Sequence, residues 1–526
     1  MRARSVAVVG ASERPNTSTS FVMRNLLDRG FRGAIHPVHP TASAVFGLPA
    51  AKRLSELPRA PDAVLIGVAA ERVGSVLEEA GRLGIKGAVV LASGFAEVGP
   101  SGRALQTALV ETARRYGMAL CGPNCLGLYD AHTGLALYSS RLSPMAAGTV
   151  AIISHSGALA IALAHCGRFG VSCLVSTGNA AVTDIADYLG VFAGDERTKL
   201  VCAVMEKISD PAAFSTAMQA MHAAGKPVLV LRLGRSQKGA AASAAHTGSL
   251  IGSHEAFVDF FRRCGVITVD DIDELIEAAV LMSRESRKPR AKGVALIGVS
   301  GGGMANVSDL AAEVKLELPE LVPATLAALR KVLPAYASPQ NPLDLTSAVF
   351  ARPNLYGDAL QALAADPNIG LVAAVQDVPA GLDQPGAEEY RGIADAIARH
   401  HGRTAVPTVV VSNLAAGPHP EIGRAFDAAG VTVLRGARAA LKAVRALVDP
   451  PPQRPMPQAP AGLAARPEWQ RRRADGRKLA EREAKLFLAA HGLPVTRELV
   501  VRSREEAAAA ASEIGFPVVM KIDSPD

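Results

Sequence analysis

Short apolar runs at 6–9, 64–68 and 88–91 are separated by stretches at 73–82 and 103–116 in which apolar positions recur at helical spacing. The runs predict strands of a buried parallel sheet, and the stretches between them predict helices packed on it. Alternating strands and helices build such a sheet with right-handed crossovers. Ligands of sheets of this kind sit at the carboxyl ends of the strands.

From 149 the pattern restarts, and it does so twice. The segment TVAIISHSG at 149–157 aligns with GVALIGVSG at 293–301, LVCAVME at 200–206 with LVAAVQD at 371–377, and GVITV at 265–269 with GVTVL at 430–434. Three matches in one order predict two related α/β domains at 145–288 and 290–448, after a first domain at 1–130. A Pro- and Ala-rich linker is predicted at 449–475. Beyond it, helices at 478–491 and 504–514 and a strand at 518–522 make 476–526 the opening of a further, incomplete domain.

Composition narrows the function. A chain of 526 residues, 49% hydrophobic, divides into roughly three or four domains with sizeable cores. Aromatic residues are only 4% of the chain, which argues against a base-stacking surface and hence against nucleic acid. The net charge of +7 is modest for this length and suits solvated faces. Six cysteines show no metal-binding CxxC pairs, which points to reduced thiols in a cytoplasm. Apolar stretches fall short of the roughly 18 residues that a membrane helix needs, so no membrane partner is expected.

Candidate chemistry clusters at predicted strand ends. Gly10, Ala11 and Ser12 form a small-residue turn after the first strand, suited to a phosphate or simply to a strand–helix turn. The turn lacks GxGxxG spacing, which excludes a nicotinamide-dependent oxidoreductase. The GPNCLG loop at 122–127 offers the Asn124 amide and backbone donors at a sheet edge; Cys125 there reads as packing. Ser154, Ser156 and Gly157 open a helix, where orphan N–H groups and the helix dipole attract an anion, although either serine also suits an N-cap. The segment at 152–157 does not have GxSxG spacing, so a hydrolase elbow is not expected there. The loop RSQKGAAASAAHTGS at 235–249 has no counterpart in the second repeat, whose equivalent at 413–420 is shorter. Its His246 is a candidate phosphoryl acceptor on a mobile loop, or a surface histidine. Glu206, at a strand end, is a candidate partner for the histidine N–H.

In this order, VAVVGAS, AVLIGV, GAVVLASGFAEVG, GPNCLG, AIISHSGAL, STGNAAVTDIADYL, AVMEKISDP, SAAHTGSLIGS, NPLDLT and FPVVMKIDSPD resemble the NDP-forming acyl-CoA synthetase superfamily, which includes ADP-forming acetate–CoA ligase and succinyl-CoA synthetase. The resemblance runs through nearly the whole chain. It implies a Rossmann-like CoA-binding domain, two flavodoxin-like succinyl-CoA-ligase domains and the start of an ATP-grasp domain. It further implies an acid–CoA ligase in which acyl-CoA and phosphate give acyl phosphate and CoA. The phosphoryl group then passes to a histidine and on to ADP or GDP. By motif position His246 matches the phosphorylated histidine and Glu206 its carboxylate partner. Ser154, Ser156 and Gly157 match the phosphate-holding helix start, and Asn124 lies in the loop near the reacting thioester. Gly10, Ala11 and Ser12 match the turn that meets the CoA phosphates, and Val38, Pro40, Ser93 and Gly94 flank the cofactor. Lys521 matches a lysine that contacts nucleotide phosphates. His39 replaces the usual asparagine and Ala69 the usual proline. The implied ligands are CoA, phosphate, a small carboxylic acid, ATP or ADP, and Mg²⁺ held mainly by the part of the ATP-grasp module that the sequence lacks. An ATP-grasp domain or subunit is expected as partner, in an oligomer. The alternative is a CoA-binding regulatory or scaffold protein, which the presence of His246 counts against.

Overall fold

The computed structural model describes residues 3–241, 254–352, 354–452, 454, 480–490 and 492–522. Residues up to 454 form one unit and those from 455 a second, each described by itself.

In the first unit β1 (Ser5–Val9) and β2 (Ala34–Val38) are followed by a short hairpin, β3 (Ala44–Val45) and β4 (Leu48–Pro49). Then come β5 (Ala63–Ile66), β6 (Gly87–Val90) and β7 (Ala119–Cys121). The sheet runs β2-β1-β5-β6-β7 and is parallel throughout. Val6, Ala7 and Val8 are fully buried because helices cover both faces, which is why the strand reads as continuously apolar.

A second sheet contains β8 (Gly127–Asp130), β9 (Ala136–Tyr138), β10 (Ala147–Ser154), β11 (Val171–Ser176), β12 (Leu200–Met205), β13 (Val228–Arg232) and β14 (Ile267–Val269). Its order is β14-β13-β12-β10-β11-β8-β9. The third comprises β15 (Gly293–Gly298), β16 (Leu343–Asp344), β17 (Ile369–Val375), β18 (Thr408–Ser412) and β19 (Thr432–Arg435), in the order β16-β15-β17-β18-β19. The parallel part of the second sheet and the whole of the third therefore share one order, with β10 matching β15, β12 matching β17 and β14 matching β19. These are the three sequence matches of the repeat. Each order is the doubly wound one whose switch point lies beside the first strand.

The β8–β9 hairpin straddles the expected end of the first domain at residue 130. Strand β8 pairs antiparallel with β11, so the hairpin extends the second sheet. Asn25, on the helix Ser18–Asp28, fastens the first domain to it: its amide donates to the Tyr138 and Ser140 carbonyls at 2.9 and 2.7 Å and accepts from Leu142 N–H at 3.2 Å.

An ion pair within the first repeat, between Arg168 and Glu277, reaches across to the second through backbone groups. One nitrogen of the Arg168 guanidinium donates to both oxygens of Glu277, at 3.0 and 2.8 Å, and to the Val433 carbonyl at 3.0 Å. The Arg435 N–H adds a bond to Glu277 at 2.9 Å. Burial pushes the Glu277 carboxyl up, against the pull of Arg168 and Arg435.

The second unit holds the helices Glu481–Ala490 and Arg504–Ile514, the latter capped by Ser503. The strand expected at 518–522 does not form. A strand needs a neighbour for its N–H and C=O groups, and among the described residues nothing pairs with this segment, which stays exposed. The predicted linker lies largely outside the described residues.

Candidate active site

The carboxyl edge of the first sheet carries the expected cofactor turns. Gly10 has φ +82°, and a Cβ there would lie 2.7 Å from the Gly67 carbonyl oxygen, so the turn admits only glycine. The Gly10 N–H donates to the Val38 carbonyl at 2.9 Å, which ties the turn after β1 to the end of β2. Ala11 and Val38 are buried, so both can serve a ligand only through their backbone. The Ser12 hydroxyl accepts from Arg14 N–H at 3.1 Å, and Pro40 is exposed beyond His39. His39, in its asparagine-like place, accepts from Thr41 and Ala42 N–H through Nδ1 at 3.2 and 2.9 Å. After β6, Ser93 is exposed and Gly94 donates its N–H to Glu97 Oε1 at 2.7 Å.

That Glu97 starts a chain of bonds towards Asn124. Its Oε1 also accepts from Phe95 N–H, and its Oε2 accepts from the Asn179 amide at 2.6 Å. Asn179 donates in addition to Gln106 Oε1 at 3.0 Å, and its own oxygen accepts from the Asn124 amide at 3.3 Å. Asn124 sits at φ +57°, its N–H bonded to the Ala92 carbonyl at 2.9 Å. The loop that brings Asn179 in passes Asn124 so closely that a Cβ on Gly178 would lie 2.2 Å from the Asn124 carbonyl oxygen. Lys207 Nζ donates to the Asn179 carbonyl at 3.1 Å. Burial would raise Glu97, but the bonds from Asn179, Gly94 and Phe95 outweigh it and hold the carboxyl below its ordinary range.

At the end of β10, the Ser154 hydroxyl donates to the Ser156 carbonyl at 2.7 Å and accepts the Ser156 N–H at 3.0 Å. Ser156 is the N-cap of the helix Gly157–Ala164, its hydroxyl accepting from Leu159 N–H at 3.4 Å. Both serines thus shape the helix start, and the N–H groups of its first turn are the anion donors on offer. Glu206 follows β12, beside β10 in the sheet. It is 5% exposed, and its Oε2 has no hydrogen-bond partner among the described residues. His246 lies outside the described residues. Lys521 lies in the second unit, where its ammonium bonds both oxygens of Glu481 at 2.9 Å.

The sequence left several participants without a role. His155 is buried between Ser154 and Ser156; its Nδ1 accepts the Glu206 N–H at 3.0 Å, and its Nε2 faces Asp184 Oδ1 at 3.4 Å. Burial would raise Asp184, but the His155 ring, the Ser209 side chain and the Ile185 N–H bring it down to about 2. Asn179 and Asp184 both stood inside the STGNAAVTDIADYL motif, with partners far away in sequence. In the second repeat Ser300 caps the helix Gly301–Glu313 as Ser156 caps its own, accepting from Gly303 N–H at 3.2 Å. The alignment of 149–157 with 293–301 was the signal for it. Among the described residues no three His, Cys, Asp or Glu side chains gather as a metal site, and no helix is long and apolar enough to cross a membrane.

Comparison with known proteins adds three family matches: a CoA binding domain over residues 4–131, a succinyl-CoA ligase like flavodoxin domain over 147–282 and an ATP-grasp domain over 470–526. The chain is 31% identical over 531 aligned residues to acetate–CoA ligase [ADP-forming] I of Archaeoglobus fulgidus, covering 99% of this chain and 74% of that one. It is 33% identical to acetate–CoA ligase [ADP-forming] II subunit alpha of Pyrococcus furiosus, covering 75% and 85%. The solved structure of a dinucleotide-forming acetyl-coenzyme A synthetase 1 of Ca. Korarchaeum cryptofilum, in complex with phosphate and ADP, superposes with TM-score 0.74 at 30% identity, covering 84% and 94%.

Proposed function

Because this chain belongs to the NDP-forming acyl-CoA synthetases, we infer that it is an acid–CoA ligase of the ADP-forming acetate–CoA ligase type. Its reaction interconverts acyl-CoA, phosphate and ADP with carboxylic acid, CoA and ATP. A phosphate oxygen attacks the thioester carbonyl; the C–S bond breaks, and CoA leaves as a thiol with the proton phosphate gave up. The acyl phosphate then transfers its phosphoryl group to a ring nitrogen of His246, releasing the carboxylate. From there the group passes to ADP.

The roles of individual residues follow from their setting. The turns at Gly10–Ser12, Val38–Pro40 and Ser93–Gly94 hold CoA, their glycines letting the backbone come close to the cofactor. Asn124, at the end of the Glu97–Asn179 chain, serves the reacting thioester. The helix starts at Gly157–Ala158 and Gly301–Gly302 offer two sets of N–H donors to the charged phosphoryl group. Glu206 accepts the N–H of His246 opposite the attacking nitrogen, keeping the ring in the nucleophilic tautomer. The observation that carries this reading is the buried Glu206 carboxylate beside the helix start, with one oxygen unpartnered among the described residues.

Lys521 and the ATP-grasp segment serve the nucleotide. Mg²⁺ for the nucleotide step would be held by the ATP-grasp partner, since among the described residues no three His, Cys, Asp or Glu side chains gather. An ATP-grasp domain or subunit completes the last transfer, as the separate alpha subunit of the Pyrococcus relative suggests, and an oligomer follows from that need. The six free cysteines fit a cytoplasmic setting.

The test is incubation of the protein with acetyl-CoA, then other acyl-CoAs, and labelled phosphate. Acid-labile, base-stable label on the wild type, absent in His246→Asn with the fold and CoA binding retained, is expected. Label retained in His246→Asn refutes the histidine assignment. Tight CoA binding without label from any acyl-CoA favours a regulatory role.

A further inference from the structure

His155 is placed where the ligase reading has no use for it, between two serines of the phosphate-holding helix start. Its ring is buried and both nitrogens are engaged. The Glu206 N–H points at Nδ1, so that nitrogen carries a lone pair and Nε2 carries the proton, which goes to Asp184. A ring spent in this way is no phosphoryl acceptor.

Its partners hold one loop. Besides facing Nε2, the Asp184 carboxylate accepts from Ser209 N–H at 3.4 Å and from Ile185 N–H at 2.7 Å. It is also the N-cap of the helix Ile185–Ala193, in a capping box with Asp187. The His155 N–H itself donates to the Val204 carbonyl at 3.1 Å. The segment that carries Glu206 is therefore gripped at Val204, Glu206 and Ser209 by two residues from β-strand and helix ends that cannot easily shift.

We propose that His155, anchored on Asp184, is a positioning residue that fixes the backbone of Glu206 and so aims its carboxylate at the phosphoryl-accepting histidine. This rests on the ligase reading for what Glu206 faces, but the positioning itself is a statement about backbone order. Only a side chain with an acceptor on one side and a donor on the other fills the place. Glutamine has both: its amide oxygen can take the Glu206 N–H and its NH₂ can serve Asp184. Leucine has neither and leaves the Glu206 N–H and the Asp184 carboxylate short of a partner.

The experiment compares wild type, His155→Leu and His155→Gln as full chains, with two readouts. One is the rate of acyl-CoA-dependent phosphoenzyme labelling as a function of acyl-CoA. The other is amide hydrogen exchange, by mass spectrometry, of a peptide spanning 204–210. His155→Leu is expected to label on the order of 100-fold more slowly, the cost of a misaimed group. Its half-saturating acyl-CoA concentration should stay unchanged, with faster exchange at 204–210. His155→Gln should label within about threefold of wild type and keep its protection. If the leucine variant does not fold, His155→Asn, too short to span both partners, should show the same loss. Wild-type labelling in His155→Leu overturns the proposal. So does a glutamine variant that is protected yet as slow as leucine, since the ring would then be doing something other than holding backbone. A wild type that never labels, with exchange changing as expected, removes the ligase reading and upholds the positioning. No labelling and no change in exchange overturns both.

Discussion

Replacing Asn179 with alanine tests whether the two sides of the site are held by one side chain. The substitution deletes the donor to Glu97 at 2.6 Å, the donor to Gln106 at 3.0 Å and the acceptor for Asn124 at 3.3 Å. A bond to a charged group contributes about 1.5–3 kcal/mol and a neutral one about 0.5–1.5. The Asn124 bond is long and counts at the low end, and water can reach the half-buried Glu97 in the variant. The net loss is then about 2–3 kcal/mol. The 526-residue chain has several domains, so the first thermal transition is the quantity to follow, and for a domain of this size the loss lowers it by about 5–10 °C. The acid dependence gives a second check. Glu97 lies below its ordinary value in the fold. A carboxylate depressed in this way stabilises the fold at pH above its unfolded value and loses that contribution as pH falls through the folded value. The gap between wild type and Asn179→Ala should therefore narrow in acid. In the labelling assay the variant should need more acyl-CoA, because the Gly94 turn and Asn124 no longer share a brace. A transition moved by less than 1 °C, with unchanged acyl-CoA dependence, would refute the reasoning; a pH-independent gap would refute the role given to Glu97.

Two further substitutions probe other supports of the same unit. Asp184, ordinarily near 3.8 and here about 2, contributes about 2 kcal/mol above its unfolded value, lost as pH falls through about 2; Asp184→Asn should be destabilised by that amount at pH 7 and match wild type near pH 2, as followed by the first thermal transition. Arg168→Met strands the buried Glu277 carboxylate and should cost about 3–5 kcal/mol, whereas removing both charges with Arg168→Met and Glu277→Leu should recover most of it.

The fold was legible where the chain is regular. Buried parallel strands such as β12 are apolar throughout, and the recurrence of β10, β12 and β14 as β15, β17 and β19 is legible in the sequence, because one sheet order needs one order of runs. The β8–β9 hairpin was not, since strands of three and four residues give no periodicity and its place is set by pairing with β11. The strand expected at 518–522 is missing for the opposite reason: the residues favour a strand, but a ladder takes two and no described residue pairs with them. At the site, Ser156 and Glu206 stood out by residue type at a strand or helix end. His155, Asp184, Asn179 and Glu97 did not, because each is defined by a partner between 29 and 82 residues away. Spacing reports neighbours on one element, whereas these contacts exist only after several elements have packed.

The second repeat differs from the first in what its matching carboxylate does. Asp377 stands where Glu206 stands, after the third strand of its sheet. Its Oδ1 accepts from the Ser412 hydroxyl at 2.8 Å and the Asn413 N–H at 2.7 Å, and its Oδ2 accepts from the Asn413 amide at 2.9 Å. A carboxylate tied in this way braces its own loop. Glu206 is one methylene longer, its backbone is held from outside by His155, and one of its oxygens is left without a partner among the described residues. A buried acceptor in that state is costly unless something arrives to use it. The sequence inserted at 235–249 is present only in the repeat that has this acceptor. The two copies share a strand order and a capped helix start, so the fold alone offers an anion site twice. What separates them is that one neighbouring carboxylate, Asp377, is spent on bracing its own loop, whereas the other, Glu206, keeps an oxygen that no described residue uses.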